Sequence, residues 1–262
     1  MPPLRARPTP RALPLGRRLA RGAGGAVTLA ACLAANPALA DGTSAATTAA
    51  TNAAVARSLG QPHTMAELGV GVLALPTADV CLRPGSCSRG DTGVVASIWQ
   101  MYRANLDFAV GAGISLAMQP AADTVHSGEA GISRSHTRSY FLVEAQGRYY
   151  ALHRDWAEAW VGLTAGGVVV SDRYSIDGGD QSQAALLGPR ASTVRTEGLS
   201  GGALVGAGWS FAPNWTVSAS IRLSRWWLPH EPAKTVFGDT ATLRDTQNVV
   251  DLGLALGYRI AL

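Results

Sequence analysis

The last twelve residues of this chain alternate with a strict period of two. Leu252, Leu254, Leu256, Tyr258, Ile260 and Leu262 are large and apolar, and Asp251, Gly253, Ala255, Gly257, Arg259 and Ala261 between them are small or charged. Period two is the pleat of a β-strand, whose successive side chains face opposite sides. A soluble sheet buries its greasy face and covers the other with polar groups. Here the second face is Gly and Ala with an occasional charge, which suits the crowded interior of a narrow barrel whose greasy face looks outward.

The same alternation predicts seven further strands, at about 65–75, 94–103, 107–118, 138–151, 156–170, 199–211 and 215–227, with the eighth at 249–262. The second is the least regular. The connections alternate long (76–93, 119–137, 171–198, 228–248) and short (103–106, 152–155, 212–214). Long loops on one side and tight turns on the other are the habit of membrane barrels with extracellular loops and periplasmic turns. The expected fold is therefore all-β: a closed antiparallel up-and-down transmembrane β-barrel of eight strands over 64–262. An even strand count puts both ends in the periplasm.

Parity along these strands sorts the side chains. Glu67, Glu144, Arg148, Glu158, Arg222, Asp251 and Arg259 fall on the inward face. Both signs are present, and charges taken out of water must pair, so they are expected to form ion pairs that plug the lumen. Phe108, Tyr149, Trp209, Phe211, Trp215 and Tyr258 fall on the outward face near the short turns, where an interfacial aromatic girdle belongs. Phe141 and Trp227 are candidates for the opposite rim. Composition agrees: 15% charged residues, against about a quarter in soluble domains, and 30 glycines in 262 residues.

The first 40 residues read as a signal peptide: six arginines by Arg21, an apolar stretch from Ala23 to Ala35, and Ala38-Leu39-Ala40 as a cleavage site. The apolar stretch is shorter than the roughly 20 residues of a spanning helix. Two alternatives stand beside this reading: acylation of Cys32 in Leu29-Ala30-Ala31-Cys32, and a true start downstream of Met1. Residues 41–63, rich in Ala and Thr, read as a flexible periplasmic segment. Beyond Ala40 the chain has 16 basic and 18 acidic residues, so no basic nucleic-acid footprint exists. Cys81 and Cys87 flank Pro84-Gly85, and an oxidising compartment predicts a disulfide between them.

No histidine sits in a metal-ligand spacing, and no cofactor is expected. Asp123, His126, Ser127 and Glu129 share one long loop and form the only triad-like set. A nucleophile needs a hydrogen bond to an oriented base, which adjacency in a loop does not supply. The glycine-rich runs Gly162–Gly167 and Gly201–Gly208 lack the Lys-Ser/Thr ending of a phosphate loop.

The alternation, the loop asymmetry and the terminal strand together resemble the small eight-stranded outer-membrane barrels of the OmpA/OmpX type, over 64–262. No periplasmic peptidoglycan-binding domain follows. Gly257-Tyr258-Arg259-Ile260-Ala261-Leu262 is similar to the C-terminal signal read by the barrel-insertion machinery, with Tyr258, Ile260 and Leu262 as its apolar positions. That signal usually ends in an aromatic residue, and Leu262 departs from it. The resemblance implies a bacterial outer-membrane location, with membrane lipid and the insertion machinery as partners and a monomeric state. The expected role is non-enzymatic: a barrel displaying four extracellular loops, with a structural, adhesive or ligand-contact function and an extracellular ligand that the sequence does not name. The alternatives are a barrel enzyme acting on lipid A or phospholipid and, less well supported, a soluble lipocalin-like barrel with its greasy face inward.

Overall fold

A computed structural model describes residues 62–83, 86–119, 123–127, 132–154, 156–175, 191–235 and 239–261, together with Thr47 and Ala50. The expected leader, Cys32, Glu129 and Leu262 lie outside the described residues. The strands are β1 (His63–Arg83), β2 (Ser86–Arg103), β3 (Phe108–Met118), β4 (Asp123–Ser127), β5 (Ile132–His153), β6 (Ala157–Ser175), β7 (Ala191–Ala212), β8 (Trp215–Trp227) and β9 (Thr246–Ala261).

Eight of these form a closed antiparallel ring. Each pairs with the next in sequence, β3 pairs with β5, and β9 returns to β1 with His63 opposite Ala261. The short strand β4 stands apart from the ring and pairs only along the outer end of β5. The expected eight-stranded up-and-down barrel is the observed architecture.

Strand lengths depart from the sequence reading at one end. The turns at 104–107, 154–156 and 213–214 fall within a residue or two of their expected places. At the other end, much of what reads as loop is paired strand. The stretch 76–93 is largely a hairpin in which β1 runs to Arg83 and β2 starts at Ser86. β6 continues to Ser175 and β7 begins at Ala191, and they stay paired to their ends. These extensions are rich in Thr, Ser, Arg and Asp, so the apolar alternation that marks a membrane strand vanishes while backbone pairing persists. The register of the first hairpin shifts twice, between Leu75 and Asp79 and between Cys81 and Arg83; opposite the first shift Gly90 takes a φ of 88°, open to glycine at no steric cost.

The outward face of the ring is apolar. Leu68, Leu163 and Leu254 are 61%, 69% and 59% exposed, as are neighbours of the same parity on every ring strand. Exposed side chains of this kind on a complete belt need a hydrocarbon solvent. A soluble lipocalin-like barrel requires the opposite assignment.

Candidate functional site

Among the described residues the interior concentrates polar chemistry, and it is built in layers. At the short-turn end, Arg103 donates to Glu158 at 2.5 Å and lies over the Tyr150 ring at 3.8 Å. Arg259 approaches the same carboxylate at 3.6 Å and donates to the Ser210 hydroxyl at 2.6 Å. Arg103 also donates to the Asn105 and Leu106 carbonyls, tying the first tight turn to the lumen.

The middle layer holds two further groups. Arg148 grips Glu67 with two nearly parallel hydrogen bonds of 2.7 and 2.6 Å, the planar geometry for which guanidinium suits carboxylate. Arg222 sits between Glu144 and Asp251, donating to both, with 2.7 Å to Asp251; Glu144 also accepts from Ser200. All seven inward charges foreseen from parity are thus buried, and each contacts an opposite charge. Arg103 completes the set. It belongs to β2, whose pattern is the least regular, yet it continues the inward positions Trp99 and Met101 and was legible on that basis.

Glycine makes room for aromatic rings between these pairs. A Cβ on Gly113 would strike the Trp99 ring, and one on Gly206 would lie 2.6 Å from the Trp160 ring. Trp99 and Trp160 therefore cross the lumen over glycines of neighbouring strands. Beside them a cavity of about 60 Å³ is lined by Ser97, Ser115, Ser218, Ser220, Arg222 and Asp251, room for on the order of four waters.

The upper half departs from the expectation of a small or charged inner face. Leu73, Leu75, Leu142, Val168, Val170 and Trp226 are all buried there in one cluster with Leu228 and Leu243. Those last two belong to the connection between β8 and β9, which turns back into the barrel mouth. A polar latch holds it. The Asp172 carboxylate is fully buried and accepts from the Thr242 amide at 3.0 Å, the Thr242 hydroxyl at 2.6 Å and Arg138 Nε at 3.1 Å; His136 Nε2 lies 2.7 Å away. Arg138 reaches on to Asp91, which also accepts from the Tyr140 hydroxyl. The Tyr174 hydroxyl donates to the Thr240 carbonyl at 2.7 Å. Asp172 lies three residues beyond Val169, the last outward apolar residue of β6. Burial alone would raise its carboxyl; the His136 hydrogen bond, the Arg138 charge and Thr242 outweigh that and hold it below the ordinary carboxylate range.

The aromatic residues expected at the lower rim all face outward: Phe108, Tyr149, Trp209, Phe211, Trp215 and Tyr258 are exposed, with Phe108 packed at a tilt against Tyr149 and Trp215 against Tyr258. Tyr102 and Trp156 join them at the same end, and Phe141 and Trp227 face outward toward the other. Ile260 is outward as well. The triad-like set fares differently. Asp123, His126 and Ser127 lie on the five-residue β4, as backbone partners of His136, Ser133 and Ile132 on β5. Among the described residues no cluster of His, Cys, Asp and Glu is arranged as a metal site.

No protein-family model matches this sequence, and no curated protein matches it. Solved structures do resemble the fold. A major outer membrane protein from Thermus thermophilus superposes with a TM-score of 0.50 at 13% identity, over 76% of this chain and 99% of that one. Neisserial surface protein A gives 0.49 at 12% identity over 76% and 97%, and Ail, the attachment invasion locus protein of Yersinia pestis, gives 0.43 at 14% over 77% and 99%. At such identities the likeness concerns fold alone. With its closed ring, its outward apolar belt and its filled interior, this chain has the fold of the small eight-stranded outer-membrane β-barrels.

Proposed function

We propose that the protein is a non-enzymatic display scaffold of the outer membrane: a plugged barrel that holds rigid extracellular hairpins and loops for structural, adhesive or ligand contact. The observation that carries this reading is the layered interior, filled from Arg103 and Glu158 at one end to Thr242 and Asp172 at the other. Such an interior leaves no continuous water path, and eight strands close with little room to spare. Strands that stay paired beyond the lipid belt, such as the outer ends of β6 and β7, stiffen what is displayed. Tyr258, Ile260 and Leu262 serve as the insertion signal, and the lower aromatic rim as the interfacial anchor.

The test is to express the full chain on cells and shorten the β1–β2 and β6–β7 hairpins back to the membrane belt. Surface contact (cell–cell aggregation or binding to an extracellular matrix) should be lost while the barrel keeps its heat-dependent gel mobility, and planar bilayers containing the intact protein should show no steady large conductance. Trimmed hairpins with unchanged contact, or porin-like channels, would overturn the reading.

A disulfide between Cys81 and Cys87 would close the tip of the first hairpin. Its support is the antiparallel register, in which the two residues are direct partners. Opposed residues have Cα atoms about 4.5–5.5 Å apart, within the range a disulfide spans. Protein matured in the periplasm should give a non-reduced tip peptide about 2 Da lighter than its dithiol form. Quantitative alkylation without reductant would count against the bridge. Because the closed loop is short, Cys→Ser changes should alter barrel stability little.

A further inference from the structure

The central cavity carries more polar chemistry than a plug requires. Ser220 of β8, Gly253 of β9 and Gly71 of β1 form one cross-strand row, and Gly253 leaves a gap in it. Where a Cβ on Gly253 would stand, the three nearest atoms outside its chain neighbours are all oxygens. They are the Ser220 hydroxyl at 3.6 Å, Asp251 Oδ1 at 3.7 Å and the Val70 carbonyl at 4.0 Å. Asp251 meets Arg222 through its other oxygen, Oδ2. Oδ1 accepts no hydrogen bond from any described residue.

Two further side chains that line this cavity of about 60 Å³ are deeply buried, Gln146 at 5% and Ser115 at 2% exposure. Neither hydrogen-bonds to any described residue. A buried amide or hydroxyl takes a partner wherever one fits, and the space for it here is the cavity.

Charge narrows what that partner is. Around the cavity Arg148 and Arg222 face Glu67, Glu144 and Asp251, two cations against three carboxylates. The lower layer has the opposite imbalance, Arg103 and Arg259 on the one carboxylate of Glu158. The rings of Tyr150 and Trp160 stand between Arg103 and Arg148, so that excess does not touch the cavity. Water would satisfy the hydrogen bonds and leave the negative charge. A cation answers both. One open carboxylate oxygen among neutral oxygens suits a monovalent ion, since divalent ions gather several carboxylates. Arg148 and Arg222 also line the cavity and repel a cation. Their carboxylate partners offset this, and the affinity is modest.

We propose that the cavity binds one monovalent alkali cation, seated beside Gly253 against Asp251 Oδ1, the Ser220 hydroxyl and the Val70 carbonyl, with cavity waters linking it to Gln146 and Ser115. The site belongs to the lumen and is independent of what the hairpins display.

The test is urea unfolding of the protein refolded in neutral detergent, in sodium or potassium chloride against choline chloride at equal ionic strength. Refolding around the ion removes any need for an entry path. At ten times its dissociation constant the bound ion should raise the folded-to-unfolded ratio roughly tenfold. Gly253→Ala fills the seat at ordinary contact distances, with no clash. Asp251→Asn keeps an acceptor for Arg222 and brings the cluster to charge balance. Both variants should unfold alike in all three salts, with gel mobility showing that the barrel is folded. In crystals, thallium(I) in place of potassium should give an anomalous peak beside Gly253 in the parent and none in Gly253→Ala. The parent peak decides the matter if either variant fails to refold. Equal unfolding of the parent in all three salts overturns the proposal. So does an alkali-ion effect that survives Gly253→Ala, which would put the ion elsewhere. Protection by calcium at far lower concentration than sodium overturns the monovalent assignment.

Discussion

Arg222→Ala is expected to destabilise the barrel by about 3–5 kcal/mol, the range for removing one partner of a buried ion pair. The reason is asymmetry. Arg222 is the shared cation of Glu144 and Asp251, so its loss leaves two carboxylates facing one another in the lumen. The serine-lined cavity beside it admits a few waters and lowers the cost toward the bottom of that range. Urea unfolding of the detergent-refolded protein measures the effect. Adding Glu144→Gln and Asp251→Asn to Arg222→Ala removes the stranded charges and should recover a substantial part of the loss, since replacing a whole buried cluster costs far less than breaking it. An alanine variant as stable as the parent would mean that the three groups are hydrated in solution.

Asp172→Ala should release the connection between β8 and β9. This carboxylate anchors Thr242 through two hydrogen bonds and offsets the charge of buried Arg138. Losing it leaves the Thr242 amide and hydroxyl without their acceptor, while Arg138 keeps its pair with Asp91, a local cost of about 1–3 kcal/mol for each donor left unsatisfied. The ring strands below keep their pairing, so the loss should be read locally: faster amide exchange and protease cleavage around Leu243, with barrel gel mobility retained. Asp172→Asn keeps part of the hydrogen bonding and should fall between. The docking also has a defined acid limit. A carboxyl held below its ordinary value stabilises the folded form above the unfolded pKa of about 3.9, and that contribution disappears as pH falls through the lower folded-state value. The connection should therefore stay docked at about pH 5 and loosen only below about pH 4. A loop already open near neutrality, or a variant with unchanged exchange, would refute the latch.

The parts of this structure that could be read in the sequence are those where lipid imposes a chemical contrast. Leu252 to Ile260 must be greasy and Asp251 to Arg259 must fit a lumen, so strand, face and inward charge follow together. The contrast ends where the membrane ends. Beyond it the outward face meets water and the inward face buries polar groups such as His136, Asp172 and Thr196, so the alternation carries no apolar contrast. His136 and Asp172 were missed for that reason, although both continue inward parity: His136 precedes Arg138, Tyr140, Leu142 and Glu144 at steps of two, and Asp172 follows Val168 and Val170. Leu243 and Thr242 had no periodic signal at all. They belong to an irregular segment placed by tertiary contact alone.

Ring closure through β1 and β9 has a consequence in time. His63 meets Ala261, with almost the whole barrel sequence between them, so the first strand to cross the inner membrane finds its second partner only when the last one arrives. Until then the growing sheet has two bare edges, each a row of unpaired amides and carbonyls open to other chains. Entropy adds little to the delay, because loop closure grows only logarithmically with length. The exposure itself is the hazard. Any truncation that removes β9, however stable the remaining hairpins, leaves one edge of β1 and one edge of β8 permanently bare, and the expected product is an aggregate.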